Sequence, residues 1–137
     1  KTIIGFIGIG TAADFTKDIL TNLSPIEKKI YKNKEYITIK SNYANPPYIF
    51  NKKFIEDSKK NFVLKKPLKT NAKIILLYGL LDEAVTLQKQ IDILKIIETK
   101  DAILTISRNS DHRMSSNFDL RLLQHTLKSI IKDTAWN

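Results

Sequence analysis

Two residues of this 137-residue chain, Asp82 and His112, are of types that could pass a proton between them. Asp82 stands in Gly79-Leu80-Leu81-Asp82-Glu83-Ala84-Val85, directly after the apolar run 72–79. His112 stands in Asn109-Ser110-Asp111-His112-Arg113-Met114-Ser115, directly after the run 102–107. A carboxylate beside an imidazole accepts its Nδ1–H, fixes the tautomer and stabilises the imidazolium as it forms, which orients a general base. Each residue alone has a plainer explanation. An aspartate after a strand often serves a turn or caps a helix, and a histidine in a polar loop is often only solvated. His125, on one helical face with Arg121, Lys128 and Lys132, reads as a surface residue.

A second chemical signature is Gly8-Ile9-Gly10-Thr11-Ala12-Ala13, which spells G-x-G-x-x-A. A dinucleotide site needs that motif between a strand and a helix, with an acid about 20 residues later at the end of a second strand. The run Thr2 to Ile9 reads as a strand buried on both faces, but the next strand-like segment, Glu35 to Ile39, ends in Lys40-Ser41-Asn42. With no carboxylate there to bond a ribose, no nucleotide is expected. The chain has no cysteine, which excludes disulfides, thiolate zinc sites and a cysteine nucleophile. No metal and no cofactor is implied.

The elements that must position Asp82 and His112 follow from periodicity. Run 72–79 reads as a fully buried strand and 102–107 as a further strand, and Leu87, Ile91, Leu94 and Ile97 recur at helical spacing between them. Leu123, Leu127, Ile130 and Ile131 mark the inner face of a last helix. Strand, helix, strand, helix is the rhythm of a parallel sheet with right-handed crossovers, hence an α/β fold. In such a sheet, ligands gather past the carboxyl ends of the strands. Asp82 and His112, one strand–helix–strand unit apart, therefore project from neighbouring strand ends into one crevice.

Residues 14–70 read as an insertion between core strands, too long and irregular for a single crossover helix. Within it, Ser24-Pro25-Ile26-Glu27 is a capping box that starts a helix over about 25–33. Glu35 to Ile39 is a short strand or extended segment. Tyr43 to Tyr48, with Pro46 and Pro47, reads as a loop. Asn51 caps a further helix ending near Phe62, with Phe54, Ile55 and Ser58 inward.

The length suits one domain, and a hydrophobic content of 42% is enough for a core. No apolar run approaches the ~20 residues of a membrane span, and no secretory leader opens the chain. A cytoplasmic location is the resulting expectation. The formal charge of +9 raises the question of nucleic acid, yet it comes from 20 scattered lysines and only three arginines, at 108, 113 and 121. Phosphate and base readers favour arginine forks and aromatic platforms on one face, so the basicity reads as solvated surface. The chain opens on lysine and runs almost directly into a buried-type strand, from which further sequence upstream is expected.

The order strand, Asp loop, helix, strand, His loop, helix resembles the C-terminal half of the α/β-hydrolase fold. Leu76-Leu77-Tyr78-Gly79-Leu80-Leu81-Asp82-Glu83-Ala84-Val85 resembles that family's acid loop, commonly L-h-H-G-x-x-D-x-x-V-P, and Ser110-Asp111-His112-Arg113-Met114-Ser115 its histidine loop, often G-D-H-R-L-S. The stretch from Gly5 to Thr16 is similar to G-L-I-G-I-A-A-A-P-D-F-T, the strand and cap entry of a bacterial and mitochondrial subgroup related to palmitoyl-protein thioesterases and acyl-glucuronide esterases. Three positions depart from the pattern: Tyr78 replaces a common histidine, and Thr86 and Ala13 replace common prolines.

The resemblance implies parallel strands 6 to 8 of that fold, with residues 1–13 carrying the first core strand, 14–70 a mostly helical cap over an acyl pocket, and 71–137 the acid and His loops. It implies a serine hydrolase of carboxylic esters or thioesters, with Asp82 as triad acid and His112 as base. The serine should sit in a G-x-S-x-G elbow upstream of the acid. The glycines here are 5, 8, 10 and 79, and none frames a serine that way. Ser110, Ser115 and Ser116 lie near His112 without such an elbow. The expected partners are therefore an acyl ester or thioester substrate and either a complementing N-terminal chain or a homo-oligomer covering the exposed sheet. The rivals are an inactive remnant or interaction module and, from charge alone, a nucleic-acid binder.

Overall fold

The structure, a computed structural model, describes residues 2–42 and 44–134. In chain order the elements are β1 (Gly5–Ile9), α1 (Phe15–Asn22), α2 (Pro25–Lys34), β2 (Tyr36–Ser41), β3 (Ala44–Asn51), α3 (Lys52–Ser58), β4 (Leu68–Lys69), β5 (Lys73–Gly79), α4 (Leu87–Ile96), β6 (Ile97–Glu98), β7 (Ala102–Ser107) and α5 (Asn117–Thr134). They form two compact units, residues 13–65 and the remainder.

The larger unit, 1–12 with 66–137, is built on a parallel sheet in the order β1-β5-β7. Ile7 lies opposite Ile75 and Tyr78 opposite Ile106. Its centre is β5, where Ile74 to Tyr78 are all buried, as a central parallel strand requires. On one face Ile75, Leu77, Met114 and Ile130 form a core, joined by Ile7, Leu122 and Leu123. The short parallel pair β4–β6 belongs to this unit too, so residues 66–70, expected with the insertion, fall with the sheet instead.

Three expectations for this unit are corrected. The first strand is not buried on both faces: Phe6 is 49% exposed, and β1 is an edge strand that pairs only with β5 among the described residues. The inner face of α4 is centred on Gln90 and Ile93, rotated from the stripe of Leu87, Ile91, Leu94 and Ile97. In α5, Ile130 is buried and Leu123 packs on the core, but Leu127 and Ile131 are half exposed. The helix is apolar over a wider arc than this unit covers.

The smaller unit contains α1 to α3 and the antiparallel ribbon β2–β3. Leu23, Ile37 and Ile55 form its core, with Ile19, Leu20 and Phe50 against them. The expected capping box is formed: the Ser24 hydroxyl accepts from the Glu27 N–H at 3.2 Å, and the Glu27 carboxylate accepts from the Ser24 N–H at 2.8 Å. Asn51 caps α3, which ends at Ser58 and passes into a 3₁₀ turn over Lys59–Asn61. Ile55 is fully buried, whereas Phe54 is partly exposed and stacks on Phe50.

The segment expected as a loop around Pro46 and Pro47 is strand β3, and Tyr43 of that segment lies outside the described residues. The prolines lie where the register shifts, between the Ser41–Ala44 and Ile39–Tyr48 pairs. A ribbon edge with a bulge needs no N–H at every position, so proline is tolerated there. The two ends of the unit are stitched by Asp14, whose carboxylate accepts the N–H groups of Val63 and Leu64 at 2.8 and 3.0 Å.

Candidate active site

Asp82 and His112 meet as their spacing predicts. The loop after β5 and the loop after β7 leave neighbouring strands, and His112 Nδ1 lies 2.8 Å from Asp82 Oδ2. The Asp82 side chain is wholly buried, while the His112 side chain is 31% exposed. A buried acid beside a partly open imidazole is the asymmetry of an oriented base: one partner is held, and the other can reach a substrate or nucleophile.

Asp82 is fixed by its own loop. Its Oδ1 accepts from the N–H groups of Ala84 and Val85 at 2.8 and 2.9 Å, which leaves Oδ2 for the imidazole. Tyr78, at a position where histidine was the pattern, donates its hydroxyl to the Val85 carbonyl at 2.9 Å and pins the far side of the loop. Burial, with the Asp82 charge as the lesser cause, raises the Tyr78 phenol above its ordinary 10.0, so it stays a donor.

The two loops are joined through their backbones. Leu80 N–H donates to the Ser107 carbonyl at 2.8 Å and Leu81 N–H to the Ser110 carbonyl at 3.0 Å. Gly79 is where they come closest: a Cβ there would stand 2.7 Å from the Asp111 carbonyl oxygen and nearer still to the Ser110 carbonyl.

The glycine motif finds its role here. Gly10 follows β1 with φ of 49°, in the left-handed region, and a Cβ on it would lie 2.8 Å from His112 Nδ1 and 3.1 Å from Asp82 Oδ2. The position needs glycine both for its backbone and because the acid–imidazole pair packs directly on it. The next residue is held by α4: Gln90, fully buried, donates its Nε2 to the Thr11 carbonyl at 2.7 Å.

Two of the seryl groups near His112, Ser110 and Ser116, are engaged in hydrogen bonds that build the loop. Ser107 and Ser110 hydroxyls lie 2.5 Å apart, and Ser110 donates to Asp119 Oδ1. Ser116 precedes α5 and forms a cap in which its hydroxyl accepts from the Asp119 N–H at 3.2 Å and donates to Asp119 Oδ2 at 2.6 Å. Asp119 and Gln90 were not singled out from sequence, and Gly10 was weighed only as part of a nucleotide motif. The signal for Asp119 was present as Ser116-x-x-Asp119, a short form of the capping box. His125 lies on the exposed side of α5, as expected.

Burial alone would raise the Asp119 carboxyl, but hydrogen bonds from the Ser110 and Ser116 side chains and the Ser116 backbone outweigh it and hold the group below its ordinary 3.8. A carboxyl lowered in the folded state adds stability that is complete above the unfolded value and is lost as pH falls through the folded one. The melting temperature should therefore fall on acidification below 3.8. In Asp119→Asn that part of the acid dependence should vanish, and an unchanged pH–melting curve would contradict this assignment.

Among the described residues, no group of three or more His, Asp or Glu side chains is placed to hold a metal ion, and no helix is long and apolar enough to cross a membrane.

No protein-family model matches the chain. Over 96% of its length it is 29% identical to the mitochondrial palmitoyl-protein thioesterase ABHD10 of Homo sapiens and 28% identical to that of Mus musculus. It spans 43% and 44% of those two relatives. Among solved structures it is similar to a provisionally named hydrolase from Agrobacterium vitis S4, with a TM-score of 0.88 at 27% identity, covering 95% of this chain and 50% of that one. Alpha/beta hydrolase domain-containing protein 10 from mouse matches with a TM-score of 0.86 at 27% identity, over 96% of this chain and 53% of that one. The chain thus has the fold of the C-terminal half of an α/β hydrolase and is homologous to ABHD10. The cytoplasmic location expected from sequence is corrected by these relatives, whose names place them in the mitochondrion and point there rather than to the cytoplasm.

Proposed function

We propose that this chain, the C-terminal half of an α/β-hydrolase fold, supplies the acid and the base of a serine hydrolase acting on carboxylic esters or thioesters. The observation that carries the reading is the 2.8 Å bond between buried Asp82 and partly exposed His112, at adjacent strand ends. His112 takes the proton of an attacking serine and returns it to the leaving alcohol or thiol, while Asp82 holds the imidazole and balances its charge. The names of the curated relatives favour a fatty-acyl thioester over a small ester. Residues 13–65 are the cap of that hydrolase, and their aromatic side chains Phe15, Phe50 and Phe54 suit an apolar acyl chain.

The serine comes from elsewhere, since no G-x-S-x-G occurs in the sequence. The outer edge of β1, with Phe6 exposed, is the natural place for a complementing nucleophile-bearing half to add its strand. The same absence favours a second reading, an inactive hydrolase remnant kept as an interaction module.

Hydrolysis of a short p-nitrophenyl ester and of an acyl-thioester, by this chain alone and mixed with the polypeptide encoded upstream, separates the two. Activity only in the mixture, abolished by His112→Ala, is the expected result. No activity in a mixture that forms a stable complex leaves the remnant reading.

A further inference from the structure

His112 stands in the middle of a short loop whose two ends are tied to a single carboxylate. Asp119, on the first turn of α5, is 3% exposed. Its Oδ1 accepts from the Ser110 hydroxyl, two residues before His112. Its Oδ2 accepts from the Ser116 N–H at 3.1 Å and the Ser116 hydroxyl at 2.6 Å, four residues after. Ser110 also faces the acid loop, because its carbonyl accepts from the Leu81 N–H at 3.0 Å, next to Asp82. The strap thus runs from α5 through the His loop to the Asp loop.

From this arrangement we propose that Asp119 is a positioning residue for the Asp82–His112 pair, holding the spacing of the two loops through Ser110 and Ser116. A helix cap alone would need only the bonds to Ser116. The bond to Ser110 adds nothing to the cap, and it is the one that reaches the site. Between the two anchor points, Asp111 Oδ1 accepts from the N–H groups of Arg113 and Met114, each at 3.0 Å. Met114 takes φ of 44°, a left-handed backbone rare for a residue with a side chain. A loop holding such a conformation must be over-determined by its surroundings, and Asp119 supplies that restraint at both ends.

The inference rests on reading Asp82 and His112 as acid and base, but its test does not require hydrolysis, so a failure of one is not a failure of the other. In ¹⁵N-labelled chain, the His112 Nδ1 proton bonded to Asp82 should give a downfield, slowly exchanging resonance, identified by its loss in Asp82→Asn. Asp119→Asn keeps the size of the side chain but can no longer accept from both Ser110 and Ser116 through charged oxygens. The expected result is exchange of the Nδ1 proton about tenfold faster while helix content by circular dichroism is retained. Exchange unchanged in a variant that merely melts earlier would overturn the proposal and leave Asp119 a simple helix cap. Should Asp119→Asn fail to fold, Ser110→Ala, which leaves the Ser116 cap intact, decides in the same way. Faster exchange supports the strap, and unchanged exchange refutes it.

Discussion

On the proposed serine-hydrolase reading, Asp82→Asn should lower kcat about 10,000-fold with KM little changed. The geometry says why the loss is chemical rather than structural. Asparagine can keep its Oδ1 on the Ala84 and Val85 N–H groups, as the aspartate does. Its amide NH₂ then faces His112 Nδ1, where the carboxylate oxygen stood. A donor there demands an acceptor nitrogen, so the imidazole is driven into the tautomer whose proton sits on the other nitrogen. In that tautomer it cannot take a proton from serine. Steady-state kinetics with an acyl-thioester, beside a melting curve for the variant, tests this. A kcat within about tenfold of the parent would show that Asp82 does not orient the base.

The second large effect is on folding. Gly79→Ala should destabilise the chain by about 3 kcal/mol, lowering the melting temperature by about 10 °C. The added methyl would meet the carbonyl groups of Ser110 and Asp111, and these are backbone, not the movable end of a side chain. Relief requires the His loop to move away from β5, which breaks the bond from Leu81 N–H to the Ser110 carbonyl. Loss of stability and loss of the Asp82–His112 contact should therefore appear together. A variant that melts within about 2 °C of the parent would show that the loops yield more easily than their packing suggests.

The parts of this fold that the sequence made plain are those where a single periodicity or local rule decides the outcome. Strand β5 was legible because a central parallel strand is a continuous apolar run, and β7 because its run is short, apolar and β-branched. Helix α2 was legible because Ser24, Pro25 and Glu27 spell its start. The Asp82–His112 pairing followed from topology, since loops leaving adjacent strands at one end must converge. Strand β3 was not legible, because Pro46 and Pro47 signal a loop and only its pairing with β2 shows otherwise. The buried face of α4 was misjudged for a similar reason: its centre is Gln90, a polar residue that burial tolerates only because it bonds to the Thr11 carbonyl, 79 positions away in the chain. Gly10 was read against a nucleotide motif, and its neighbours, Asp82 and His112, are visible only once the sheet is assembled. The exposure of Leu127 and Ile131 on α5 was missed because apolar residues were assigned to an interior that these residues alone do not enclose, whereas an uncovered flank of the sheet at β1 was expected.

The seam between the acid and His loops has a kinetic consequence. Acid and imidazole stand 30 positions apart and are brought together by loops that also bond to each other through Leu80 and Leu81. Such a pair is oriented by the fold itself, so the imidazole needs no further ordering once the chain is folded. A serine placed against it must match a fixed target, and a misplacement of about 1 Å can cost about 100-fold in rate. On the proposed reading, the entropy of orienting the base is spent during folding, and the accuracy with which the serine meets His112 sets how much of that gain becomes activity.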